Sequence, residues 1–169
     1  MKNLKNKKGF TLVELLAVIV VLAIVMGLAV VAITGVLDNA RKATFVTDAK
    51  QFLEGARNIV TSADLNAQLS SGSNASHLIT CDEGKNETDI YLNEIYLQQG
   101  GDKSPYGNKY KKDVSYIHVV AEKENDLCQY TYSIYLTDGV YAIGTSENPK
   151  EWNSIEASMV QINNSSNAG

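Results

Sequence analysis

Residues 9–33 read GFTLVELLAVIVVLAIVMGLAVVAI, and this stretch decides the architecture of the chain. All nineteen residues from 15 to 33 are Leu, Ile, Val, Ala, Met or Gly, and thirteen of them are Leu, Ile or Val. A helix of about 20 such residues spans the hydrocarbon core of a bilayer. These thirteen side chains contribute roughly −4 to −8 kcal/mol to insertion. The sequence therefore predicts a membrane-spanning helix.

Four lysines precede the apolar run, at Lys2, Lys5, Lys7 and Lys8. Basic residues stay on the cytoplasmic side of a membrane, so everything after about residue 37 is expected outside it. The run is longer than the apolar core of a secretory signal, and no A-x-A-like cleavage site follows it. Hydropathy alone therefore indicates a signal anchor that holds an outer domain.

One residue does not fit the pattern of a simple membrane anchor. Glu14 places a carboxylate at the head of the apolar run. A carboxylate costs a few kcal/mol at the centre of a membrane helix. Glu14 is near the end, so we expect insertion to survive, but the acid still needs a reason to be there. The surrounding residues 7–16, KKGFTLVELL, closely resemble the processing signal of type IV prepilins and pseudopilins. The shared pattern is a basic leader, a glycine, a phenylalanine, three residues, a glutamate and then an apolar helix.

The resemblance implies roles for three residues of this segment. A membrane-bound prepilin peptidase would cut between Gly9 and Phe10 and would N-methylate Phe10. Glu14 would then be the fifth residue of the mature chain. It would pair with the positive terminus of a neighbouring subunit and set the axial register, which supplies the partner that a buried acid needs.

The resemblance also implies partners and a location. The partners are identical or related pilin subunits, the prepilin peptidase, an inner-membrane assembly platform, and membrane lipid before assembly. DNA or a host surface is a further candidate for the outer surface. The chain would first be a single-pass membrane protein with its C-terminal domain outside, and later part of an extracellular pilus or an envelope-spanning pseudopilus.

Charge and composition narrow the function. Removing residues 1–9 takes four lysines from the chain, so the count falls from 15 basic and 19 acidic residues to 11 and 19, and the net charge moves from −4 to −8. This balance argues against a basic-patch nucleic-acid binder. The sequence has no phosphate loop, nucleophile elbow or H-E-x-x-H motif. It therefore predicts no catalytic residue, no cofactor and no metal site.

Helical periodicity continues beyond the apolar run. A stripe of apolar residues at spacings of three, four and seven indicates an amphipathic helix; its members are Phe45, Ala49, Phe52, Leu53, Ala56, Ile59, Val60 and Ala63. We predict one helix over residues 10–62, with residues 10–37 as membrane or filament core and residues 38–62 packed on a sheet. Two helices broken near residues 35–39 are the alternative.

The C-terminal half predicts an antiparallel meander. Residues 127–137 alternate clearly between apolar and polar side chains, and Asp138-Gly139 is a hairpin turn signal. Strands are expected over 114–121, 127–137 and 140–144, with a short helix over 149–155. Residues 63–113 form a connection in which Thr88 caps a short helix over 89–97. The predicted sheet and C-terminal segment cover residues 114–162, and 163–169 are a polar tail.

Two cysteines, Cys81 and Cys128, lie in the predicted outer domain. An even count outside the membrane favours a disulfide, which would stabilise the fold by about 4 kcal/mol in the chain-entropy model. The alternative is two buried free thiols.

The predicted fold class is thus α+β and type IV pilin-like, with one long N-terminal helix packed on a small antiparallel meander. The predicted function is a structural subunit of a type IV pilus-like filament. The alternative is a pseudopilin of a type II secretion or competence DNA-uptake system. Residues 104–110 are similar to a turn of many major pseudopilins and some Gram-positive pilins, Asp-Pro-aromatic-Gly-Asn-x-Tyr, with Ser104 in place of the aspartate. A membrane-anchored domain that never polymerises is a third hypothesis, and an enzyme is the least favoured.

Overall fold

The computed structural model describes residues 10–69, 79, 81, 84–95, 102–125 and 127–163, and the side chains of all of these except 31, 32 and 64–69. The chain divides into two compact units, residues 1–39 and 40–169. One helix, α1 (Leu12–Leu69), contributes to both units. The prediction of a single long helix is confirmed, although α1 ends later than residue 62. No proline lies within α1, and a helical glycine such as Gly27 or Gly35 costs only about 1 kcal/mol.

Six strands follow α1 in the described part of the chain: β1 (Lys85–Tyr91), β2 (Tyr116–Glu124), β3 (Leu127–Thr137), β4 (Tyr141–Ile143), β5 (Lys150–Glu151) and β6 (Gln161–Ile162). They pair antiparallel in the order β1-β2-β3-β4-β6, and β5 pairs with β3. The α+β class with an antiparallel sheet is therefore confirmed. The three predicted strands correspond to β2, β3 and β4. The other three strands, β1, β5 and β6, were not predicted.

The helix predicted over residues 89–97 is wrong. Residues 85–91 form β1, which pairs with β2 along its whole length from Lys85 opposite Glu122 to Tyr91 opposite Tyr116. Hydrogen bonds to β2 satisfy the backbone N–H and C=O groups of these residues. A short helix capped by Thr88 is less favourable, because an isolated helix of this length is marginal in water.

The C-terminal segment also differs from the prediction. The helix predicted over residues 149–155 is wrong, since Lys150 and Glu151 pair with β3 and only Trp152–Ser154 form a 3₁₀ turn. A second 3₁₀ turn covers Ala157–Met159. The segment instead buries Ile155 and Val160 against the core. Of the predicted tail, residues 163–169, only residue 163 lies within the described residues.

The core lies between the amphipathic half of α1 and one face of the sheet. The predicted stripe supplies its helical side, since Phe45, Phe52 and Leu53 are at most 1% exposed. Alternate residues of the sheet supply the other side: Ile117, Val119 and Ala121 of β2, with Tyr132, Ile134 and Leu136 of β3. The prediction that the sheet covers the stripe is confirmed.

A turn segment, residues 102–113, closes one end of this core. Tyr110 packs its ring against Phe45 and Phe52, with both pairs of ring centroids 5.5 Å apart. Its hydroxyl donates a hydrogen bond to Asp48 of α1 at 2.6 Å. Ser104 Oγ donates to the buried carboxylate of Asp138 at 2.5 Å. The segment is therefore tied both to the helix and to the β3–β4 hairpin.

The β3–β4 hairpin turn lies where the sequence predicts it. Gly139 has φ +94°, a conformation that favours glycine. The Asp138 carboxylate accepts hydrogen bonds from the backbone N–H groups of Val140 and Tyr141 at 2.9 and 2.7 Å. This local bonding is typical of aspartate in tight turns.

Candidate functional site

The first half of α1 exposes an apolar surface on every side. The large apolar side chains from Leu12 to Leu37 that the structure describes are 47–81% exposed, and Phe10 is 92% exposed. Soluble monomeric proteins rarely expose a continuous apolar surface of more than a few hundred Å². This half of the helix therefore needs lipid or other apolar helices around it.

The described residues contain one helix that is long and apolar enough to cross a membrane by length and composition. Its most apolar window has a mean hydropathy of 3.3. This agrees with the membrane-spanning run predicted from residues 15–33.

Thr11 and Glu14 form a reciprocal cap at the start of α1. The Glu14 carboxylate accepts hydrogen bonds from the backbone N–H and the hydroxyl of Thr11 at 2.8 and 2.9 Å. In return, the backbone N–H of Glu14 donates to Thr11 Oγ1 at 3.3 Å. This is a capping box, in which the side chains at the N-cap and N3 positions satisfy backbone donors that have no partner within the helix.

The cap gives Glu14 a function within its own chain. One carboxylate oxygen takes two hydrogen bonds from Thr11, and the acid lies in the first turn of the helix. A negative charge there is favoured by the helix dipole. The acid at the head of the apolar run is therefore partly satisfied before any second molecule approaches.

Thr11 is the residue of this site that the sequence analysis missed. The signal was present, because Thr11-Leu12-Val13-Glu14 fits the T-x-x-E pattern of a capping box just before an apolar run. The other predicted residues of the site are Gly9, which lies outside the described residues, and Phe10, which immediately precedes the cap.

Cys81 and Cys128 are joined by a disulfide in the structure, with their Cα atoms 5.9 Å apart. Cys128 lies in β3 directly opposite Lys123 of β2. The bond therefore ties the part of the chain before β1 to the hairpin between β2 and β3.

The described residues contain no group of three or more His, Cys, Asp or Glu side chains that could hold a metal ion. His118 Nδ1 lies 2.7 Å from Asp89 Oδ1, and His118 Nε2 lies 3.8 Å from Glu87 Oε2. Both carboxylates sit on β1 beside the histidine, so this cluster links two neighbouring strands.

In a comparison with protein families, residues 4–30 match the prokaryotic N-terminal methylation motif. The chain carries a prepilin-type signal. No curated protein and no solved structure matches the chain.

The prepilin-type signal covers three of the four leader lysines, the predicted cut, Thr11, Glu14 and most of the exposed apolar surface. It supports a precursor of the type IV pilin-like and pseudopilin class, and it favours a structural subunit over an enzyme. It also implies processing by a prepilin peptidase and assembly with other pilin subunits. Together with the apolar helix, it fits a membrane-anchored precursor that is later assembled.

Proposed function

We propose that this chain is a structural subunit of a type IV pilus-like filament. The observation that carries the proposal is the exposed apolar half of α1, most of which belongs to the prepilin-type signal. Such a surface can exchange lipid for the same surface on sister subunits, because both surroundings are apolar. Packing and paired polar groups then drive helix association.

In this proposal the peptidase cuts between Gly9 and Phe10 and methylates the new terminus at Phe10. Residues 10–37 are the filament core, residues 38–62 are the helical layer under the sheet, and the sheet and its loops form the outer surface. The precursor is held in the cell membrane with its C-terminal domain outside, and the assembly platform extracts it from there.

Glu14 is proposed to set the axial register by meeting the positive terminus of a neighbouring subunit. The capping box supports this proposal because it holds the carboxylate at the very start of α1, three residues from Thr11 and next to the cut site. A charge held in a fixed position discriminates between registers better than a mobile one.

Two substitutions separate the register function from the cap. Glu14→Gln keeps an oxygen that can accept the hydrogen bonds of Thr11 but removes the charge, whereas Glu14→Ala removes both. We expect both variants to insert normally and to give few filaments in electron microscopy and shear fractions. Glu54→Gln, an exposed acid on the same helix, is the matched control and is expected to assemble normally. Normal filaments from Glu14→Gln would exclude a charge-based register.

The intact mass of the surface-exposed protein tests processing. The expected mature chain begins at Phe10, carries one added methyl group and lacks the two hydrogens of a Cys81–Cys128 disulfide. A mature chain that still begins at Met1 would instead favour a membrane-anchored domain that does not polymerise.

A second candidate function is a pseudopilin of a type II secretion or DNA-uptake system. It is favoured by the turn at residues 104–110, whose sequence is similar to a turn of major pseudopilins. Electron microscopy separates the two candidates. Long surface fibres support the pilus, and only short envelope-spanning assemblies support the pseudopilus.

A further inference from the structure

The face of the sheet that points away from the core is acidic. Residues opposite one another on neighbouring strands share a face, and the outward rows contain five carboxylates and one ammonium group. Glu124, at the end of β2, accepts a hydrogen bond from Gln129. The other four carboxylates and the ammonium group are those of Glu87, Asp89, Glu122, Glu151 and Lys85. We call these five residues the acidic face. Lys85 pairs with Glu87 at 2.6 Å, and His118 lies 2.7 Å from Asp89. All five residues are exposed, so their net charge of −3, from four carboxylates and one ammonium group, is accessible to a partner.

A row of tyrosines borders the acidic face. Tyr91, Tyr116 and Tyr135 lie opposite one another on β1, β2 and β3, and neighbouring ring centroids are 5.9 Å apart. Tyr91 is 38% exposed. The faces of aromatic rings carry negative electrostatic potential and attract ammonium groups. Tyr135 is only 7% exposed, so Tyr91 and the half-buried Tyr116 are the rings of this row that a partner can reach. These two rings and the carboxylates favour the same kind of partner, a cationic one.

The same chain carries a basic segment that fits this description. The turn segment 102–113 contains four lysines and two aspartates. Lys112 pairs with Asp102, while Lys103, Lys109 and Lys111 are exposed and form no salt bridge with any residue that the structure describes. We call these three lysines the basic turn.

One copy of the chain does not join its own basic turn to its own acidic face. Tyr110 packs the turn segment against Phe45 and Phe52 of α1, which lies on the core side of the sheet. The acidic face lies on the opposite side, because Ile117 and Val119 of β2 point into the core while His118 points away from it. A contact between the two surfaces therefore requires a second molecule.

We propose that the basic turn of one copy docks on the acidic face of the next copy. The inference rests on the proposed function and names an interface between the sheet-bearing units of neighbouring subunits. Two different surfaces meet in this contact, so it is head-to-tail and can repeat along an open array. The mature chain has a net charge of −8, so copies repel one another unless their charges are arranged in this way.

The contact adds specificity more than strength. Exposed ion pairs are individually weak and are screened by salt. The apolar half of α1 holds subunits together, while complementary charges select one relative position and disfavour like-charged ones.

Carbodiimide cross-linking tests the contact, because this reagent joins an amine to a carboxylate only where the two touch. Full-length chain labelled with ¹⁵N is mixed with unlabelled chain, reconstituted together in vesicles and treated. We expect mixed-isotope peptides that join Lys103, Lys109 or Lys111 to Glu87, Asp89, Glu122 or Glu151. Cross-links confined to single-isotope pairs, or mixed pairs that avoid these residues, would overturn the proposal.

Complementary charge reversals sharpen the test. One variant carries Lys109→Glu with Lys111→Glu, and the other carries Glu122→Lys with Glu151→Lys. Each variant alone presents like charges at the proposed contact, so we expect its yield of mixed cross-links to fall about fivefold or more. A mixture of the two variants restores opposite charges and is expected to regain most of the wild-type yield. The proposal is rejected if the mixture yields no more than either variant alone.

A matched control reverses charges away from both surfaces. Lys50→Glu on α1 with Glu156→Lys near the C-terminus changes the same number of charges and is expected to leave the yield unchanged. Vesicle cross-linking does not require filaments. A chain that forms the cross-links but no fibres therefore counts against the proposed filament function and not against this interface.

Discussion

The contact between Asp48 and Tyr110 predicts how the stability of the sheet-bearing unit depends on pH. Tyr110 is only 5% exposed, and its hydroxyl is 2.6 Å from Asp48 Oδ2. Burial raises the pKa of Asp48 above its ordinary value, and the hydrogen bond from Tyr110 only partly opposes this. Burial, together with the neighbouring carboxylate of Asp48, also raises the pKa of Tyr110, which therefore stays protonated.

The sign of the pH effect follows from the direction of the Asp48 shift. A pKa that is higher in the folded chain than in the unfolded chain means that the folded chain binds the proton more tightly. The resulting stabilisation is complete below the unfolded pKa of about 4 and is lost as the pH rises through the folded pKa. Asp48→Asn is neutral at every pH. We therefore expect the variant to gain stability relative to wild type as the pH rises from about 4 to 7.

Tyr110→Phe tests the other half of the contact. It keeps the ring that packs on Phe45 and Phe52 but leaves the half-buried carboxylate of Asp48 without its donor. The loss of a hydrogen bond to a charged group predicts a destabilisation of about 1–2 kcal/mol. For a unit of this size, that loss lowers the melting temperature by roughly 4–7 °C.

The assay is thermal unfolding of the detergent-solubilised full chain, followed by the fluorescence of Trp152, which packs against the core. Tyr91→Phe, on the outer face of the sheet, is the control and is expected to melt like wild type. The reasoning is refuted if Tyr110→Phe has the same melting temperature as wild type, or if Asp48→Asn loses stability relative to wild type as the pH rises.

Three further substitutions test the packing of the same unit by Trp152 fluorescence. Phe52→Ala leaves a cavity at a fully buried site and is expected to lower the free energy of unfolding by about 3–5 kcal/mol. A decrease of less than about 1 kcal/mol would mean that α1 does not pack on the sheet as described. Removing the disulfide with Cys81→Ser and Cys128→Ser is expected to lower the free energy of unfolding by about 4 kcal/mol. A reducing agent should destabilise wild type and leave the stability of this variant unchanged. Gly144→Ala should cost about 1–3 kcal/mol, because Gly144 has φ +74° and an added Cβ would lie 3.1 Å from two backbone oxygens; wild-type stability would contradict that backbone geometry.

Much of the fold could be predicted from local patterns. The long helix follows from an apolar run that continues into a stripe with helical spacing, and both patterns act within a few residues. Strand β3 and the turn at Asp138-Gly139 were also predicted at their observed positions. These elements are those in which the residue types favour the same structure that the tertiary contacts require.

Strand β1 could not be predicted, because residues 85–91 read KNETDIY and show no clear alternation of apolar and polar side chains. Only Ile90 of this strand is buried. Its strand conformation is imposed by hydrogen bonds to β2, which is distant in sequence. Tertiary pairing of this kind overrides weak local preference.

The candidate site and the proposed interface also divide into a part that local sequence patterns predict and a part that depends on tertiary contacts. The cut site, the acid at Glu14 and the apolar surface are all contained in one continuous segment, so the sequence by itself determined the membrane run and the prepilin-type signal. The separate placement of the acidic face, on the outer face of the sheet, and of the basic turn, at one end of the core, depended on the tertiary structure. Strand register decides which carboxylates share a face, and the docking of Tyr110 on α1 decides where the lysines lie. Both are set by contacts between residues far apart in the chain, and no local pattern encodes them.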